Sequence, residues 1–159
     1  MISDHLAEFV HGPVVSWVGT RDERFRPSVS WVFGAKVDRE HDKITLFVPN
    51  VEAEQTLRNI DHNGMIAFTA ADGLTHESFQ FKGNFVEKRA STEEDRAVQD
   101  IHMSKWIAYF DGKYPNDLAP GYIAHPSTAI TFHVTHIFIQ TPGPGAGDQI
   151  HSTSDAANQ

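Results

Sequence analysis

The sequence predicts a mainly β protein of the α+β class, built as a six-stranded antiparallel barrel with short flanking helices. Six runs rich in β-branched and aromatic residues are separated by turn residues, and the early runs follow one another as in hairpins. One helical segment crosses between the third and fourth runs. No GxGxxG follows a strand, and strands do not alternate regularly with helices, which disfavours a dinucleotide-binding fold.

The first third of the chain predicts one helix and three strands. Ser3 is a suitable cap for a helix over residues 4–10, which His11 and Gly12 would end. Strands are predicted at residues 13–20, 25–37 and 43–49. In the second of these, Val29 and Trp31 share one face of the strand, whereas the polar serines at 28 and 30 share the other.

The remainder predicts two helices and three further strands. Ala53, Leu57 and Ile60 recur at helical spacing, which predicts a helix over residues 52–62. Strands are predicted at 65–71, 75–88 and 127–140, with a helix from 91 or 92 to 110 and an irregular segment at 111–126. We expect one domain over residues 1–147, followed by a flexible polar tail at 148–159.

Composition excludes several functional classes. The net charge is −8, from 13 basic and 21 acidic residues, and no basic run is present, so we expect no nucleic-acid partner. The absence of cysteine excludes disulfides, thiolate metal sites and a cysteine nucleophile. No apolar run approaches the roughly 20 residues that span a bilayer. The N-terminal residues carry acids where a secretory signal carries bases, so we expect a cytoplasmic protein.

No catalytic or metal-binding machinery is evident in the sequence. His133 and His136 are the pair closest in sequence among ten histidines. Residues three apart on a strand point to opposite faces, so we predict no metal site. No GxSxG motif is present, and no catalytic residue is assigned. If the protein is an enzyme, we expect a cofactor to supply the chemistry.

Two stretches have the composition of anion-binding sites. Residues 24–30 place two arginines before the serine face of a strand, and residues 47–58 carry a strand end into a helix start, where N–H groups attract phosphate. A solvated hairpin end and an ordinary helix start are the alternative interpretations of these stretches. The glycine-rich TPGPGAG at 141–147 is not a phosphate loop, because its prolines lack N–H groups.

The order of several short segments carries a family resemblance. These are GPVVSWVGT at 12–20, RPSV at 26–29, LFVP at 46–49 before a helix ending in LRNI, FQFKG at 79–83 and QTPGPGAG at 140–147. From residue 5 to 147 the chain resembles the pyridoxamine 5'-phosphate oxidase-like family of FMN-binding split β-barrels. The resemblance implies a homodimer with two FMN sites at its interface, acting on a small-molecule substrate. TPGPGAG would then fix the exit of the chain from the last strand.

The same resemblance implies a set of cofactor-binding residues, with the flavin along the second strand and its phosphate at the start of the following helix. The implied residues are Arg26, Ser28, Val29, Ser30, Phe47, Val48, Pro49, Gln55, Thr56 and Gln80. The family pattern places a serine, an arginine and a lysine at that helix start, and these positions fall near residues 54–56, where this chain has no lysine.

The resemblance therefore implies an FMN-dependent oxidoreductase, with Arg58, Arg26 or Arg21 compensating for the lysine. A non-catalytic flavin-, F420- or haem-binding protein is the alternative, and F420 or haem is the alternative cofactor.

Overall fold

The computed structural model describes residues 1–113 and 122–150, in which one antiparallel sheet carries three helices. The helices are α1 (Asp4–Val10), α2 (Asn50–Asn63) and α3 (Glu93–Phe110). The strands are β1 (Val15–Arg21), β2 (Pro27–Trp31), β3 (Ala35–Asp38), β4 (Lys43–Pro49), β5 (Met65–Ala71), β6 (Ser78–Ala90) and β7 (Ser127–Ile139). Their order across the sheet is β2-β1-β5-β6-β7-β4-β3. The predicted α+β class is confirmed.

The sheet has seven strands because the strand predicted at 25–37 is interrupted. Its two halves, β2 and β3, lie at opposite ends of the strand order. Between them, the Val32 N–H donates to the Ser16 carbonyl of β1, and the Phe33 N–H donates to the Phe47 carbonyl of β4, both at 3.0 Å. Gly34 then takes a φ of 89°, which favours glycine. The strand pairing is not closed into a ring, so the six-stranded barrel is not confirmed.

Local sequence accounts for the helix boundaries. Ser3 caps α1 by accepting a hydrogen bond from the Leu6 N–H, as predicted, and Thr92 caps α3 in a capping box with Asp95. α2 ends at Gly64, whose φ is 67° and whose N–H donates to the Ile60 carbonyl. No helix of the described segments is long and apolar enough to cross a membrane.

The core is formed by the inner face of the sheet together with α1 and α2. Along β6, Phe79 and Phe81 are buried whereas Gln80 and Lys82 face outward, which matches the alternation in the sequence. β2 differs, because its inward residue is the buried Ser30 and its apolar Val29 is 64% exposed. The serine face of this strand therefore packs against the protein interior.

A bulge in β7 changes the predicted placement of two histidines. The pairing of β6 with β7 shifts between Lys82 and Gly83, so one extra β7 residue, Thr135, lies between His133 and His136. Both histidines are exposed on the outer face, and the prediction that they lie on opposite faces is wrong. Among the described residues, no three His, Asp or Glu side chains are grouped as metal ligands.

The bulge depends on a close backbone approach at Gly83. A Cβ placed at this residue would lie 1.9 Å from the carbonyl oxygen of His133. No side chain fits at that distance, so the two strands can adopt this register only with glycine at position 83.

The TPGPGAG segment turns the chain back onto β7. The Gly147 N–H donates to the Ile139 carbonyl, and the Ile150 N–H donates to the Ile137 carbonyl, both at 2.8 Å. Ile150 packs against the core. The predicted domain boundary at residue 147 stays a prediction, and residues 151–159 of the predicted tail lie outside the described residues, as do residues 114–121 of the predicted irregular segment.

α3 packs against the sheet through a polar stripe rather than an apolar one. Its buried residues include Asp95, Gln99 and His102. Asp95 is fully buried, forms ion pairs with Lys36 (2.7 Å) and Arg89, and accepts a hydrogen bond from the Thr92 N–H (2.8 Å). These partners outweigh the burial penalty and hold the pKa of Asp95 well below its usual range.

We expect Asp95→Asn to lower the free energy of unfolding at pH 7 by about 2 kcal/mol. This loss is smaller than that for breaking a fully buried ion pair, because the side chains of Lys36 and Arg89 remain 41% and 45% exposed. The depressed pKa means that the carboxylate stabilises the wild type above about pH 4 and that this contribution is lost on further acidification. Urea unfolding at pH 7 and pH 3 should therefore show a smaller pH effect in Asp95→Asn.

Asp61→Asn is the matched control, because Asp61 also pairs with a lysine, Lys88, but is 59% exposed. Its unfolding curve should stay close to the wild type. Equal losses in the two variants would contradict the role assigned to Asp95.

Candidate functional site

The outer face of β1 and β2 carries an open groove beside the start of α2. Trp17, Val29, Trp31 and Glu52 line it, and its volume is about 370 Å³. We call it the tryptophan groove. Trp17 and Trp31 are directly opposite each other in the β1–β2 pairing, so strand alternation places both indoles on this face.

Aromatic contacts fix the position of Trp31. Its ring meets that of Trp17 edge to face at 6.2 Å and stacks on Phe33 with an interplanar angle of 12°. Tyr122 contacts both Trp31 and Phe33 at ring distances of 5.5 and 5.6 Å. Such contacts hold flat surfaces rigidly, which suits the groove to a planar aromatic ligand.

Behind this groove, Ser30 and Thr56 fasten β2 to α2. Ser30 Oγ donates to the Glu52 carbonyl (3.0 Å) and shares a hydrogen bond with Thr56 Oγ1 (2.8 Å). Ser30 is 2% exposed and Thr56 is fully buried. The two hydroxyls therefore bond each other and the helix backbone, and neither is open to a ligand. Thr56 occupies one of the positions where the family resemblance expects the phosphate-binding lysine.

The start of α2 also offers little to an anion. The Asn50 N–H donates to the Pro126 carbonyl (2.9 Å), and the preceding β4 residues Phe47, Val48 and Pro49 are buried. In the first turn of α2, the carboxylate of Glu52 accepts a hydrogen bond from the backbone N–H of Trp31 (3.1 Å). A negative charge already lies at the positive end of this helix.

The arginines expected to compensate for the missing lysine have other partners. Arg58 pairs with Glu54 and donates to Gln55 Oε1 (2.7 Å). Arg26 pairs with Asp22 (2.7 Å) in the β1–β2 turn. Arg21 lies over the ring of Phe25 at 4.5 Å. Each guanidinium is held within its own part of the fold.

Arg26 is also distant from the α2 start. Asn63, the last residue of α2, donates to the carbonyl of Arg21, which is paired with Pro27. The turn holding Arg26 thus lies at the C-terminal end of α2. A 14-residue helix is about 20 Å long, so Arg26 and Pro49 lie at opposite ends of it.

The other predicted residues divide between two surfaces. Ser28 is half-buried on the inner-facing side of β2, and Gln55 donates to Asn59 Oδ1 (2.7 Å) on α2. Gln80 lines a second open groove of about 560 Å³, together with Trp17, Thr69 and Pro142. Of the predicted residues, Ser30, Thr56 and the end of β4 therefore lie beside the start of α2. Arg26 and Gln80 lie elsewhere.

These contacts test whether FMN fits. The tryptophan groove offers aromatic surface to the ring of FMN. The phosphate of FMN does not fit at the predicted place, because the described residues there offer a carboxylate and no unpaired cation. Trp17, Trp31 and Thr69 were missed as lining residues. Alternation along β2 indicated that Val29 and Trp31 share one face, but not that this face is the outer one or that Trp17 lies opposite Trp31.

Comparison with solved structures identifies the fold. HupZ of Group A Streptococcus aligns over 92% of this chain and 100% of its own, with 18% identity and a TM-score of 0.56. An F420 reductase aligns over 82% and 93%, with 14% identity and a TM-score of 0.55. An FMN-binding protein from Syntrophomonas wolfei subsp. wolfei aligns over 85% and 86%, with 10% identity and a TM-score of 0.52.

A putative pyridoxamine 5'-phosphate oxidase from Lactobacillus delbrueckii aligns over 86% of this chain and 92% of its own, with 12% identity and a TM-score of 0.54. These similarities confirm the resemblance at the level of the fold, which this chain shares with pyridoxamine 5'-phosphate oxidase-like FMN-binding proteins. No family model and no curated protein matches the sequence.

Proposed function

We propose that this protein binds a flavin or deazaflavin ring in the tryptophan groove and acts as an oxidoreductase on a small molecule in the cytoplasm. The observation that carries the proposal is the groove itself, in which Trp17 and Trp31 meet edge to face and Trp31 is stacked on Phe33, so that aromatic surface lines the groove. The fold supports it, because proteins described as an F420 reductase and as FMN-binding share it. Fold alone does not determine function, so the groove must be tested directly.

Ring contacts would supply most of the affinity. Aromatic stacking and apolar burial act on the ring whatever its side chain carries. A phosphate would gain nothing from Ser30 and Thr56, which are buried, and would be repelled by the Glu52 carboxylate.

The ring, when bound, supplies hydride chemistry that no side chain here offers. Glu52 is the titratable residue of the groove, and its carboxylate already accepts the Trp31 N–H. Because no general acid or base stands free in that lining, a non-catalytic flavin-, F420- or haem-binding protein is the second candidate. Turnover of a reduced nicotinamide by the flavin-loaded protein separates the two.

We expect riboflavin and FMN, which differ by the phosphate, to bind with dissociation constants within about threefold of each other. A phosphate held by charge-assisted hydrogen bonds would instead favour FMN by about tenfold or more. Quenching of flavin fluorescence during titration with the protein measures both constants.

Two variants make this test specific. Glu52→Gln should strengthen FMN binding and leave riboflavin unchanged, because only FMN carries the repelled charge. Trp31→Ala should weaken both. If neither flavin binds the wild type, the proposal fails; if FMN binds far more tightly than riboflavin, the phosphate has a site that these contacts do not supply.

We also propose that the chain forms a homodimer through the outer face of β1, β2 and β5. Large apolar side chains remain exposed here: Phe25 at 74%, Val29 at 64% and Met65 at 50%. Gly19 and Ala67 are directly opposite each other in the middle of this face and leave it flat. Exposed apolar residues grouped on one sheet face are typical of a protein interface.

Light scattering should give a mass of twice the 17.8 kDa chain. Ala67→Arg should give the monomer mass, because it places a charge in the centre of the face. Ile107→Arg, at an exposed apolar position on α3, is the control and should stay dimeric. A monomeric wild type at micromolar concentration would exclude the dimer.

A further inference from the structure

A second groove lies between the end of α1, the region of β3 and α3. Its volume is about 430 Å³. Val10, Ala35, Val37 and Val98 form apolar walls, and no acidic side chain lines it. It shares no lining residue with the tryptophan groove. We call it the α3 groove.

His102 is the buried polar group of this groove without a protein partner among the described residues; His11, which also lines the groove, is exposed. It is 6% exposed, and its ring forms no hydrogen bond with the described residues, whereas Gln99 on the same stripe of α3 bonds Ser127. Every fully buried polar side-chain atom of residues 1–113 and 122–150 has a partner, so the ring nitrogens of His102 must keep contact with open space. The crevice on the other side of the ring holds only about 10 Å³. The α3 groove is therefore the larger open space beside the imidazole of His102.

The charge state of this imidazole follows from its surroundings. Burial, with a smaller effect of nearby Lys105, lowers the pKa of His102 to about 4. At neutral pH the ring is uncharged and offers one donor and one acceptor nitrogen. An unpartnered polar ring in an otherwise packed interface is costly unless a ligand or water bonds it.

Lys105 gives the groove an excess of positive charge. Lys105 Nζ donates to the His11 carbonyl at 3.0 Å and has no carboxylate partner among the described residues. Lys36, by contrast, is paired with the buried carboxylate of Asp95 at 2.7 Å, so its charge is compensated within the protein. The surplus charge of Lys105 stands out in a chain whose net charge is −8. The combination of apolar walls, a cation and a neutral imidazole complements a ligand with an apolar body and one negative group.

We propose that the α3 groove is a binding site for a small amphiphilic carboxylate. The carboxylate contacts Lys105 and His102, and the apolar chain lies along Val10, Val37 and Val98. This site is separate from the proposed flavin site, and the two proposals are tested by different measurements.

Octanoate is the test ligand. It is titrated into the ¹⁵N-labelled protein, and binding is measured from the chemical shifts of the backbone amides. We expect saturable shifts centred on Gly34, Val37 and Lys105. Octanol, which has the same chain without the charge, should bind at least about fivefold more weakly. Lys105→Met should weaken octanoate by a similar factor.

Lys113→Met is the matched control. Lys113 is also exposed, follows α3 and donates through Nζ to a backbone carbonyl, that of Tyr109, at 2.8 Å. Octanoate should bind this variant as tightly as the wild type. The proposal is overturned if octanoate gives no saturable shifts or shifts centred elsewhere. It is also overturned if octanol binds equally well, or if Lys105→Met and Lys113→Met bind octanoate alike.

Discussion

The architecture depends on one segment that supplies both edges of the sheet. β2 and β3 follow each other in the chain with three residues between them, yet they pair with β1 and β4 at opposite ends of the strand order. The hydrogen bonds of Val32 to β1 and Phe33 to β4 hold the two ends together. Because β2 is fixed there, Ser30 meets α2 on one face and Trp31 meets Trp17 on the other. The candidate site is therefore a product of this crossing.

Ion pairs and hydrogen bonds within the protein explain why the start of α2 offers no free group to bind a phosphate. Arg26 and Arg58 each pair with a carboxylate, and the hydroxyls of Ser30 and Thr56 bond each other. These contacts stabilise turns, helices and layers, and the groups that form them are withdrawn from ligand binding. The tryptophan groove is left to act through shape and apolar contact. In the α3 groove, Lys105 has no carboxylate partner and His102 has no hydrogen-bond partner among the described residues.

Local features of the fold could be predicted from the sequence, and long-range ones could not. The Ser3 cap, the start of α3 next to residue 92 and the alternation along β6 depend on neighbouring residues and were predicted correctly. The division of residues 25–37 and the β7 bulge depend on pairing with distant strands, which periodicity does not report. For the site, the sequence indicated the missing lysine near Thr56. It could not indicate that Thr56 is buried against Ser30, because that contact spans 26 residues.

Gly83 has a consequence for tracing the ancestry of this fold. Charged and aromatic residues around a ligand can be exchanged as specificity drifts, and two structures of this fold share only 18% and 10% of their aligned residues with this chain. The 1.9 Å limit at Gly83 is set by backbone atoms and is indifferent to the ligand. A mutational scan of the whole chain would find this codon intolerant under selection for folding alone. Such a position is a better anchor for aligning distant homologues than any residue of the grooves.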